Sequence, residues 1–128
     1  MIPAGIVSAD GHVCEPPDCY VNYIDPKYRD DAPRVVRQAD GTDAFEIPGM
    51  KKPIGLGFID GAGFGVKQRA ERAGKIRFED IRPAAYSAPA RVQCMDQDGL
   101  AAELIYASVG MGLCMHKDAL YKDCLLYT

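Results

Sequence analysis

Two short apolar runs with a helix pattern between them constrain this chain most. Ile6-Val7-Ser8-Ala9 is the first, and Leu100 to Ala107, centred on Leu104, Ile105 and Tyr106, is the second. Neither alternates apolar with polar residues, which suits strands covered on both faces in a parallel sheet. Ser87 to Asp98, just before the second run, carries helix signals. Ser87 and Pro89 suit its start, Val92 and Met95 give an apolar stripe, and Gly99 suits its stop. Strand, helix and strand in this order predict a right-handed parallel crossover. The expected class is therefore α/β, with Ile6–Ala9 and Ala102–Tyr106 side by side and the helix packed on their outer face.

A long excursion separates the first strand from that helix. Asp18 to Tyr28 reads as a short helical segment with Tyr20, Tyr23 and Ile24 on one side, broken at Asp25-Pro26. Pro33 to Gln38 and Asp43 to Ile47 read as strands joined by a hairpin turning at Asp40-Gly41. Pro48 to Gly65 reads as a Gly-rich loop, Val66 to Ala73 as two helical turns, and Lys75 to Tyr86 as a mostly irregular connection. Gly61, Gly63 and Gly65 lack both the dinucleotide spacing and a Gly-Lys-Ser/Thr ending, so a surface insertion is expected there rather than a phosphate loop. Beyond the second strand, Ser108 to Gly112 reads as a loop. His116 to Tyr127 reads as an amphipathic helix with Leu120, Cys124 and Tyr127 on its stripe and an Asp118–Lys122 pair.

A net charge of −3 with interspersed signs makes nucleic acid and anionic membrane poor partners. No apolar run approaches the roughly 20 residues of a membrane helix. No basic segment leads into a long apolar core at the start, so no signal peptide is expected. The five cysteines, at irregular spacings, suit reduced thiols in a cytoplasmic protein better than a disulfide framework.

The chemistry-bearing stretch is Asp10-Gly11-His12, where the first run turns polar before Pro16 and Pro17 stop it. Residues two apart on a strand share a face, so Asp10 and His12 are expected to project together, their Cα atoms roughly 6.5–7 Å apart. That gap suits two ligands of one metal ion held at about 2.0–2.2 Å. The plainer alternative is that Asp10 caps a turn and His12 is satisfied in the core. A zinc site from His12, Cys14, Cys19, Cys114 and His116 lacks any Cys-X-X-Cys pair to support it.

Ser8 to Pro17 resembles the first strand of the amidohydrolase-related family of metal-dependent hydrolases and decarboxylases. There an His-X-His or acidic-X-His metal motif precedes a Glu-Pro step. Tyr28 to Val36 is similar to the segment that follows. Arg91-Val-Gln-Cys-Met-Asp-Gln-Asp-Gly99 resembles the family's first outer helix, and Leu100 to Ala107 its second barrel strand. The likeness spans Ile6 to Val36 and Ala90 to Tyr127. It implies the N-terminal portion of a (β/α)8 TIM barrel, with residues 37–89 as an insertion carrying the hairpin and the Gly-rich loop.

The resemblance places Asp10 and His12 on the two first-strand metal ligands and Glu15 on the Glu-Pro step, in an orienting or substrate-side role. It implies one divalent ion, zinc or manganese, a small-molecule substrate, and either hydrolysis of a C–O or C–N bond or decarboxylation. A complete barrel takes about 250 residues, so the chain is expected to be part of a longer enzyme, open to homo-oligomer formation, and inactive alone. The competing expectation is a free-standing α/β binding module, using the Gly-rich loop with Tyr20, Tyr23 and Tyr28 as its contact surface.

Overall fold

A computed structural model describes residues 5–59, 65–72 and 76–126. Along the chain come β1 (Ile6–Val13), α1 (Cys19–Tyr23), β2 (Arg34–Arg37), β3 (Asp43–Glu46), β4 (Ile54–Gly55), α2 (Leu56–Ile59) and α3 (Val66–Arg72). Then follow α4 (Ala88–Asp98), β5 (Leu100–Ala107), α5 (Ser108–Leu113) and α6 (Ala119–Leu126). Short 3-10 turns occupy Pro26–Asp31, Phe78–Asp80 and Pro83–Ala85. The expected Gly61–Gly63 stretch and Tyr127 lie outside the described residues.

The fold is mixed α/β. β1 and β5 pair in parallel as one sheet, and β2, β3 and β4 form a small antiparallel sheet. The parallel pair is the one the two apolar runs predict. β1 is longer than Ile6–Ala9, however, and carries Asp10 and His12 within the ladder rather than past its end. Its register is uneven: Ser8 stands opposite Glu103 and Gly11 opposite Ile105. Three steps on β1 thus match two on β5, a bulge at Ala9 and Asp10. A bulge re-aims the side chains beyond it. Ser8 faces α4 with Glu103, while Asp10 and His12 face the other way.

The β2–β3 hairpin turns where expected, with Gly41 at φ 84°, Thr42 N donating to Asp40 Oδ1 at 3.0 Å, and Arg37 opposite Asp43. A loop was expected over Pro48–Gly65, but it contains β4 and α2, because Ile54 and Gly55 pair with Phe45 and Ala44. Ser108–Gly112 is also no loop. It is the start of α5, whose Val109 and Leu113 are fully buried. In and after α1, Tyr20 and Ile24 are buried and Cys19 and Val21 pack partly against the core, while Tyr23 is 75% exposed. Tyr20 is therefore core, and the three tyrosines do not form one contact surface.

α6 begins at Ala119 and buries Tyr121 and Leu125, with Leu120 exposed. Asp118 sits before the helix as its cap, accepting from Tyr121 N at 3.0 Å. In α4 the inward stripe is Arg91, Cys94 and Met95, each half-buried, and Val92 falls outside it, exposed. Gly99 ends the helix in a left-handed conformation, φ 69°, a backbone state that glycine adopts without the Cβ penalty.

The apolar core gathers beyond the C-terminal ends of β1 and β5. Cys14, Ile24, Phe45, Leu56, Val109 and Leu113 are its most buried members. None of the buried apolar residues belongs to β1 or β5.

Candidate functional site

Asp10 and His12 project from the same face of β1, as their spacing predicts. His12 Nε2 lies 3.7 Å from Asp10 Oδ1. Two donors on one tetrahedral ion, each about 2.0–2.2 Å from it, stand roughly 3.3–3.6 Å apart. The pair therefore approximates one edge of a coordination shell. Asp10 is 91% exposed and His12 44%, so neither caps a turn inside the core. The His12 ring lies against Tyr106 of β5, centroids 5.9 Å apart.

Among the described residues no three His, Cys, Asp or Glu side chains come together in a way that could hold a metal ion. The imagined zinc set is dispersed accordingly. Cys14 is buried at the end of β1, while Cys114 is exposed after α5. His116 accepts from Asp118 N at Nδ1, 3.2 Å, and donates from Nε2 to Pro48 O, 2.8 Å. It ties the entry of α6 to the turn at Gly49 rather than joining His12.

Glu15 turns away from the pair. It is buried, and its carboxylate accepts from Val109 N at 3.1 Å, Gly110 N at 2.9 Å and the Tyr20 hydroxyl at 3.5 Å. These backbone N–H groups open α5, and a carboxylate there satisfies donors that a helix start leaves without partners. Glycine at 110 is required by Ala107 rather than by Glu15: a Cβ there would come 2.8 Å from Ala107 Cβ, while Glu15 Oε1 would stand at an ordinary contact distance of 3.7 Å. Glu15 thus pins the corner after β1 to the corner after β5. Burial, then the Glu15 charge, raises the Tyr20 hydroxyl and pushes the Cys19 thiol up to about 11. Both stay protonated at neutral pH, so Cys19 has no thiolate to offer as a nucleophile.

On the opposite face of the sheet lies an ion pair that the sequence reading does not assign. Arg91 of α4 grips Glu103 of β5 with two bonds, Nε to Oε2 at 2.7 Å and a terminal nitrogen to Oε1 at 3.2 Å. The pair is largely buried, with side chains 17% and 11% exposed. Arg91 also donates to His12 O at 2.8 Å and Ala84 O at 3.3 Å. Hydrogen bonding from Arg91 holds the Glu103 carboxyl below the usual carboxylate range against the opposing effect of burial. A signal was there to read: Glu103 is the one carboxylate in an otherwise apolar strand, and such a charge needs a cation partner.

No protein-family model matches the chain, and no curated protein matches it.

Proposed function

We propose that this chain is the first part of a (β/α)8 barrel enzyme of the amidohydrolase-related kind, in which Asp10 and His12 supply two ligands to one divalent ion, zinc or manganese. The observation that carries the reading is the Asp10–His12 pair, 3.7 Å between donor atoms, on the sheet face away from α4. Barrel enzymes keep their helices outside and their sites at the C-terminal ends of the strands, and this pair lies toward that end of β1. The uncovered apolar strand face supports the same reading, because parallel sheets are ordinarily covered on both sides.

Asp10 offers a carboxylate oxygen and His12 an imidazole nitrogen, a donor set that suits zinc or manganese. A divalent ion there lowers the pKa of a bound water toward about 7 and polarises a carbonyl or carboxylate. That chemistry serves hydrolysis of an ester, amide or lactone and decarboxylation of a small carboxylic acid alike. A catalytic zinc centre takes three protein ligands and an open position, so the remaining donors must come from strands beyond β5. Glu15, engaged with α5, shapes the rim of the site and does not ligate.

Two consequences follow. Residues 1–128 alone bind metal weakly and turn nothing over. A protein that carries this chain together with the remaining strands binds one divalent ion tightly, and Asp10→Ala or His12→Ala removes both metal and activity. Metal analysis and turnover of that protein and its two variants decide the matter. Variants that keep stoichiometric metal and full activity contradict the assignment.

A further inference from the structure

We propose that Arg91 is a positioning residue for the Asp10–His12 pair: through the Glu103 carboxylate and the His12 carbonyl it fixes, from the far face of the sheet, the peptide that carries both ligands. The inference rests on the metal reading above but adds residues from two other elements.

The geometry is a clamp across β1. Arg91 spends two donors on Glu103 and one on His12 O, at 2.8 Å, so one guanidinium joins α4, β5 and the ligand-bearing strand. A fourth contact, to Ala84 O at 3.3 Å, fixes it to the 3-10 turn beside α4. A planar fork of this kind sets orientation as well as distance. The Glu103 carboxylate lies directly against Gly11, between the two ligands. A Cβ on Gly11 would come 2.7 Å from Glu103 Cδ and 2.9 Å from its Cγ. Glycine at the middle of Asp-Gly-His therefore has a use: it lets the ion pair seat against the strand between the ligands.

The bulge at Ala9 and Asp10 makes such a clamp necessary. It removes regular ladder support one residue before Gly11. The Asp10 and His12 side chains are themselves exposed, His12 lying against Tyr106. Their relative position is set from behind, by Gly11 on Glu103 and by His12 O on Arg91. Partners that orient metal ligands typically affect affinity 10–100-fold when removed.

The test is Zn2+ titration of the 128-residue chain, followed by the His12 ring resonances, with the His12 carbonyl carbon shift recorded before metal is added. Arg91→Lys keeps the charge and loses the fork. We expect it to move the His12 carbonyl shift and to weaken Zn2+ binding about tenfold. Glu103→Gln keeps the shape, and we expect a smaller loss, about threefold; it also serves if Arg91→Lys fails to fold. Arg37→Ala, which breaks the ion pair to Asp43 in the β2–β3 hairpin, is the control for destabilisation alone and should leave affinity unchanged.

Folded Arg91 and Glu103 variants with wild-type affinity and an unmoved carbonyl shift overturn the proposal. So does an equal loss in Arg37→Ala. If Asp10→Ala and His12→Ala bind Zn2+ as the wild type does, the metal reading fails. The carbonyl shift then still reports whether Arg91 holds the His12 peptide.

Discussion

At the scale of single residues, the structure separates groups that a strand pattern lumps together. Ser8, Asp10 and His12 share a parity in the sequence, yet the bulge turns Ser8 to the α4 face and leaves only Asp10 and His12 on the other. Glu15, expected in an orienting or substrate-side role, accepts from the first N–H groups of α5. Replacing it with Ala would leave the Val109 and Gly110 N–H groups without their carboxylate. Bonds to a charged, buried partner contribute about 1.5–3 kcal/mol each, and the loss is partly shared, so Glu15→Ala should cost about 3 kcal/mol. Urea denaturation reads this as a lower midpoint at unchanged slope. A midpoint within experimental scatter of the wild type would show that α5 does not depend on Glu15. Asp43 and Glu103 give a pH signature. Burial raises the Asp43 carboxyl, but Arg37 and the Phe78 N–H outweigh it, and Arg91 lowers Glu103. A carboxyl lowered by folding stabilises fully above its unfolded pKa, near 4, and loses that contribution as pH falls toward its folded value. Thermal stability should thus be flat near pH 6 to 7 and drop below about pH 4, with a shallower drop in Glu103→Gln.

At the scale of elements, the local signals that were legible are those whose partners lie nearby. The Asp40-Gly41 turn, the Gly99 stop of α4 and the two parallel runs are written in a few adjacent residues, and all three are present. α5 was not legible. Gly110 and Gly112 argue for a loop, and the carboxylate that completes the helix start comes from Glu15, on another corner of the fold. β4 likewise exists through its pairing with β3, not through its own two residues. The inward face of α4 is legible at Met95 but not at Val92 or Arg91, for a related reason. An apolar stripe at Val92 and Met95 is natural to expect, but the helix is seated by a charge, Arg91, whose partner Glu103 lies across the crossover. The closeness of Asp10 and His12 was legible because residues two apart on one strand need no distant partner to share a face. The clamp behind it was not. Arg91→Ala should therefore loosen α4 on the sheet, raising amide exchange along both β5 and the second half of β1. Exchange unchanged in β1 would mean that the pair secures only the helix.

At the scale of the molecule, core and sheet are separate. The core lies past the strand ends, while Ile6, Val7, Leu104, Ile105 and Tyr106 are 41–65% exposed on a two-stranded parallel sheet. Parallel strands are ordinarily sandwiched, and contiguous exposed apolar surface promotes association. The isolated chain should self-associate in sedimentation experiments, and Leu104→Lys should reduce that association. A monodisperse, cooperatively melting monomer at high concentration would count against further structure covering this sheet. The proposed metal site rests on Asp10 and His12 acting together on one ion. Paramagnetic broadening by Mn2+ on the isotope-labelled chain tests it most directly, because it maps weak binding without needing the missing ligands. Asp10, Gly11, His12 and Tyr106 should broaden first, and Asp10→Ala should abolish the effect. Broadening centred on His116, Cys114 or the surface acids of the hairpin, or a pattern unchanged in Asp10→Ala, would contradict it.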